Sequence, residues 1–364
     1  MRNDRRTRSC VPLAIAVACM SVLGPFSSNA FAQAQPKPAS ASGAYKVPRT
    51  PDGKPDLQGY WTNLTYTPFE RPQELGEKAF YTEREAVEVF AKAAKISLET
   101  DQLVHYFQAD WAATPVQTGA KPNLRTSIVT SPANGRIPAF TPDAQKRVAA
   151  ALASDKARGP LPLTWRDDRG TAWCIFHDRA VPSIPAPYGS NYHIVQSRYF
   201  IVMTYEWSSE RRIIPLDGRP HGPAKMPSYV GNARGRWEGD TLVVETTNFN
   251  SNREFFGSPG TFTLVERFTR VSENTILHTS TVTDPTTWVS PWTYELPMQR
   301  IVGPMLEYAC NENNQDAFTV LKNARAQERG ELSAPDATRR GDSKAVINEH
   351  SEKGTAEVVG GKSE

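Results

Sequence analysis

Cysteine is scarce in this chain. Of 364 residues only four are cysteine, and Cys10 and Cys19 sit in the N-terminal stretch. Cys174 and Cys310 remain, too few for a disulfide framework and too far apart for zinc spacing. No H-x-x-x-H and no EF-hand loop is present either, so no metal site is expected. The absence of G-x-S-x-G leaves no serine-hydrolase elbow. The absence of G-x-G-x-x-G and of a P-loop removes the usual nucleotide cradles, and no cofactor is expected. Charge of one sign is not in excess, with 42 Lys and Arg against 39 Asp and Glu and a net charge of +3. That balance carries no basic footprint for nucleic acid. Past residue 24 no apolar run approaches the roughly 20 residues a membrane helix needs, so no transmembrane anchor is expected there.

The N-terminus, by contrast, is strongly patterned. Arg2, Arg5, Arg6 and Arg8 precede an apolar run from Val11 to Gly24, then Pro25 to Asn29, then Ala30-Phe31-Ala32. A basic start, a short apolar core and a small-x-small site form a secretory signal, and residues 1–32 are assigned to it with cleavage after Ala32. Two other readings stay open. Cys19 after Ala16-Val17-Ala18 loosely matches lipoprotein processing, and Arg5-Arg6 loosely matches twin-arginine export. Export to the periplasm or beyond places Cys174 and Cys310 in an oxidising compartment. There they read as one disulfide contributing about 3–5 kcal/mol, or else as two separately buried thiols.

Residues 33–54 are rich in Pro, Ala, Ser, Gly and Lys and read as a flexible linker. A single β-rich domain is expected over 55–329, irregular and helical over 80–170. Thr82 with Glu85 forms a capping box for a helix over 82–97, and Thr141-Pro142 starts another running to 157. Strands follow at 192–197, 199–206, 210–215, 261–271, 275–283 and 292–301, all rich in β-branched and aromatic residues. Trp237 to Thr247 is a hairpin turning at Gly239-Asp240. A helix at 317–329 and a charged, disordered tail at 330–364 complete the chain. Short strands without intervening helices make the fold class mainly β (α+β). The expectation is an antiparallel meander closing into a barrel or curved sheet, with a helical, loop-rich N-terminal part.

Three clusters are candidates for chemistry. The first is Asp217-Gly218-Arg219-Pro220-His221 after the strand bearing Arg212. His221 would be general acid/base, Asp217 its orienting partner, and Arg219 with Arg212 a clamp for developing negative charge. The competing reading is a tight turn in which Arg219 pairs Asp217 and His221 meets backbone carbonyls. The second is Glu206, either a base with a raised pKa between Tyr205 and Trp207 or an ion-pair partner of Arg211 or Arg212. The third is Arg234, Arg236, Trp237 and Asn248, with Trp288 and Trp292, arranged either around a ligand or in the core. His193, His221 and His278 could meet in space, but they sit singly on strands or loops and are taken as structural.

Several segments together carry a resemblance. They are Pro51-Asp52-Gly53-Lys54-Pro55-Asp56-Leu57, Asn134-Gly135-Arg136-Ile137-Pro138, Arg212 to His221, Gly235 to Phe249, Val265-Glu266-Arg267-Phe268, Asp284-Pro285-Thr286-Thr287-Trp288 and Tyr308-Ala309-Cys310. In this order they resemble a widespread family of exported bacterial proteins with no established reaction, over residues 48 to 328. The resemblance implies export and a β-rich fold and assigns no catalytic residue. Two departures stand out. Asn311-Glu312-Asn313-Asn314 replaces the family's His-Glu-Gly-Asn, so this chain has no His directly after Cys310, and His193 stands where Gln is usual. Separately, Gly59-Tyr60-Trp61 resembles the G-x-W of lipocalin-like barrels, where it marks the closed end. The expected function is binding of a small organic molecule, with or without cofactor-free proton transfer. A non-catalytic carrier and an envelope interaction protein are the alternatives.

Overall fold

The computed structural model describes residues 45–65, 67–89, 91, 123–158, 164, 181–185, 190–206, 210–251, 254–309, 312 and 316–331. The expected signal, most of the linker, the tail, Trp207 and both Cys174 and Cys310 lie outside these residues, as does the end of the helix expected over 82–97.

Among the described residues ten strands form one antiparallel sheet. They are β1 (Gly59–Thr62), β2 (Val129–Ser131), β3 (Asn191–Gln196), β4 (Phe200–Tyr205), β5 (Arg211–Pro215), β6 (Asn232–Glu238), β7 (Thr241–Thr247), β8 (Thr263–Ser272), β9 (Thr275–Thr283) and β10 (Trp292–Arg300). The order is β5-β4-β3-β1-β10-β9-β8-β7-β6, with β2 paired to the start of β10. The sheet is therefore two meanders, β3–β5 and β6–β10, joined by β1. On the other side Ile214 and Leu216 of the β5 segment pack on Gly235 of β6, which nearly closes the barrel.

Alternation places one face of each strand inside. β8 buries Leu264, Glu266, Phe268 and Arg270, and β9 buries Ile276, His278, Ser280 and Val282. The sequence reading expects the N-terminal part of the domain to be helical and loop-rich and assigns no strand before residue 192. Instead that part supplies β1, the strand that joins the two meanders, as well as β2. At four and three residues these strands are too short to show a period.

Trp61 closes one end of the barrel. It is fully buried, and its indole N–H donates to Leu57 O at 3.0 Å. The Arg300 guanidinium lies 4.5 Å from its ring centroid and Arg270 lies 5.8 Å away. Gly59 has φ +123°, and a Cβ there would fall 2.8 Å from Arg300 Nη1. Glycine, tryptophan and arginine thus form one packed unit. The opposite end is filled by aromatic rings, including Phe249 stacked on Phe262 at 4.3 Å and Trp288 set edge-on to Trp292 at 5.5 Å.

The helix Pro142–Arg158 starts where Thr141 Oγ1 accepts the Ala144 N–H. At 83–89 the capping box forms, since Glu85 accepts the Thr82 N–H at 2.8 Å and Thr82 accepts the Glu85 N–H at 3.3 Å. The last helix among the described residues is Asp316–Glu328.

Candidate functional site

The β5–β6 connection holds the residues expected to carry chemistry, and its bonds hold the loop on the barrel wall. Asp217 accepts from Arg219, not from His221. The His221 ring lies between Asn232 O, 2.9 Å from Nδ1, and Glu245 Oε1, 3.2 Å from Nε2. Both ring nitrogens have partners within the chain. Arg234 donates to Arg219 O and Pro220 O, and Asn248 donates to Gly222 O. Among the described residues no hydrogen bond or ion pair joins any two of Glu206, Asp217 and His221. Glu206 does not pair with Arg212, which turns inward to Glu266. Trp292 is fully buried in the core, and Trp237 is partly buried against it.

Inside the barrel lies a charged cluster that the sequence pattern did not bring together. Arg212 Nη2 is 2.5 Å from Glu266 Oε2 and 2.5 Å from Thr246 Oγ1. His278 Nε2 is 3.2 Å from Glu266 Oε1 and 3.0 Å from Ser280 Oγ, and its ring stacks on Phe268. Burial alone would push the Glu266 carboxyl up. The Arg212 charge and then the His278 bond overcome that and hold it well below the usual carboxylate range. Such a carboxylate is a weak base. Arg212 Nε and Nη1 lack well-aligned acceptors, although Tyr205 is within reach of the guanidinium. Among the described residues the cluster is closed in: Glu266, Thr246 and Ser280 are 0 % exposed, as are Trp61, Ile194, Leu242, Leu264, Trp292 and Tyr294 around the interior. A side chain with no accessible area borders no water-sized void. The barrel interior is therefore a packed core around an ion pair.

Asp284 forms a third cluster. It is 2 % exposed and accepts from Ser258 Oγ (2.5 Å), Thr261 Oγ1 (2.7 Å), Thr286 Oγ1 (2.6 Å) and Thr287 Oγ1 (2.7 Å). Burial raises its pKa, and these hydroxyls, Ser258 first, bring it down to about 2. The Asp284-to-Trp288 motif is thus a clasp for the aromatic end.

A cavity of about 350 Å³ opens outside the wall, between the turn at 72–77 and that at 134–136. It is bordered by Arg71, Gln73, Glu77, Asn134 and Arg136. Arg71 is 4 % exposed. Its Nε donates to Thr126 Oγ1, and its Nη1 donates to Gly76 O and Ala133 O. Nη2 has no hydrogen-bond partner among the described residues. Arg136 donates through Nη1 to Arg71 O at 3.0 Å, leaving Nε and Nη2 without partners among the described residues. Gly135, at φ +70°, lets the turn lie against Arg71, since a Cβ there would fall 2.9 Å from Arg71 Nη2. Beside the groove, Glu70 accepts the Ile137 N–H at 2.6 Å. Its pKa is raised by burial, an effect that the Ile137 bond and the Arg136 charge only partly offset.

Sequence reading found Arg212 and noted His278, but it missed Glu266, Thr246, Ser280 and Arg71. The first three sit at inward parity on their strands, so a polar residue at an inward position was the available signal. Arg71 lies in an irregular segment with no period. Among the described residues no three His, Cys, Asp or Glu side chains gather as a metal would require, and no helix is long and apolar enough to cross a membrane. Comparison with family models, with curated proteins and with solved structures finds no match, so the geometry of these clusters is the basis for function.

Proposed function

We propose that this is an exported, barrel-based protein that binds a small organic molecule in the groove beside Arg71 and Arg136, rather than inside the barrel. One observation carries the reading. A charged side chain that is 4 % exposed borders a cavity of about 350 Å³ with a donor nitrogen uncommitted. Cavities of roughly 300–1,000 Å³ with a few fixed polar groups suit small ligands. Most of the other motif residues have a partner within the chain: the Arg212 to His221 segment holds its own loop, and the Asp284 motif holds the aromatic end. Export rests on the signal pattern over residues 1–32. The Trp61 end supports a lipocalin-like scaffold, whereas its filled interior argues against a carrier with a central calyx.

The test is native mass spectrometry of the protein taken from the periplasm, beside its denatured, unreduced mass. A bound mass released on denaturation and absent from Arg136→Gln is expected. A bound mass unaffected by that substitution would move the site elsewhere. A clean native mass in the wild-type protein would count against a tightly retained ligand. The denatured mass also tests cleavage after Ala32 and a Cys174–Cys310 bridge.

A further inference from the structure

We infer that the groove between Arg71 and Arg136 is an oxyanion site, so its ligand carries a carboxylate or phosphate group; this rests on the groove being the binding site. The argument begins with charge balance. Buried charges are costly unless paired. Arg212 meets that requirement with Glu266 at 2.5 Å. Arg71 is almost as buried, yet its partners are a threonine hydroxyl and two backbone carbonyls. These are dipoles, which stabilise the charge without neutralising it. Among the described residues no carboxylate lies within ion-pair distance of Arg71 or of Arg136.

The geometry adds to this. The two arginines are fixed relative to each other, because Arg136 Nη1 donates to Arg71 O and Arg71 N–H donates to Gly135 O at 2.9 Å. The Asn134 side chain accepts the Arg136 N–H and shapes the same turn. Both arginines border one cavity, each has nitrogens without a hydrogen-bond partner among the described residues, and one backbone bond and one side-chain-to-backbone bond hold them together. Among the described residues Glu77 is the one acidic residue lining it. Glu70 lies beside the groove and feels the Arg136 charge, but its carboxylate is committed to the Ile137 N–H, and charge-assisted bonds from arginine favour carboxylate or phosphate oxygens.

The experiment is a ¹⁵N-resolved NMR titration of the purified protein with acetate, inorganic phosphate and acetamide, repeated on Arg136→Gln and Arg71→Lys. Amide shifts at 71–77 and 134–136 with acetate or phosphate are expected, with acetamide without effect. In Arg136→Gln the apparent affinity should fall about tenfold, the equivalent of losing one charge-assisted bond. Arg71→Lys keeps the charge and should retain part of the response, which separates charge from loss of fold. Equal shifts with acetamide would overturn the oxyanion class while leaving a binding groove. Shifts that are unchanged in Arg136→Gln would overturn the site. No shift in the groove with any probe would overturn both this inference and the proposed function. Response to phosphate and not to acetate would narrow the class to phosphate-bearing ligands.

Discussion

Arg212 and Arg71 are both arginines buried almost completely, and the contrast between them separates scaffold from site. Arg212 lies in the barrel interior, 1 % exposed, with Glu266 as counter-ion and neighbours that leave no water-sized void. Arg71 has no ion-pair partner among the described residues and borders a cavity of about 350 Å³. Residue type and burial are the same. Counter-charge and space differ, and these two properties decide whether an arginine holds the fold or awaits a ligand.

The largest test of the contrast is Glu266→Gln. It leaves the buried Arg212 charge without its partner and should cost about 3–5 kcal/mol in urea unfolding. Replacing both members, Arg212→Met with Glu266→Leu, should restore most of that stability, because a packed apolar pair avoids desolvation. If the double variant is as unstable as the single, the interior cluster does more than balance charge.

Next comes Asp284→Asn, which removes the charge from four hydroxyl contacts and should cost about 2–3 kcal/mol. The folded pKa of Asp284, about 2, lies below its ordinary 3.8. Its contribution is therefore complete above about pH 4 and lost as pH falls towards 2. Acid titration of stability should show that loss in the wild-type protein and a shallower slope in Asp284→Asn.

Smaller still is Arg136→Gln, a half-buried position with one hydrogen bond from its side chain. Stability should change by about 0.5 kcal/mol or less, while the groove's response to acetate weakens. A large stability loss without a binding change would move Arg136 to the scaffold side of the comparison. The smallest effect is expected for His221→Ala. The partly exposed His221–Glu245 contact should be worth less than about 1 kcal/mol, measured by thermal unfolding. Once a substrate is known, turnover should survive this substitution; its loss would return the chemistry to the loop at Asp217 to His221.

Much of the barrel was legible along the chain. The hairpin at Gly239-Asp240 was readable because β-branched residues flank a turn dipeptide. The Thr82 and Thr141 caps were readable because capping is local in sequence. The groove was not. Arg71 and Arg136 are brought together across more than sixty positions by the Arg71 N–H bond to Gly135 O and the Arg136 side-chain bond to Arg71 O, between two segments without regular structure. Arg212 was visible in its motif, but its role was not, because Glu266 reaches it across the barrel from β8.

By itself, the sequence determined the mainly β class, most of the strands and the helix starts, since period, turn chemistry and caps act within a few residues. Tertiary structure decided that β1 joins two meanders, that the interior is full, and that one buried arginine is neutralised while another is not. Those outcomes depend on which distant side chains share a volume, and electrostatic compensation and free space are properties of that volume.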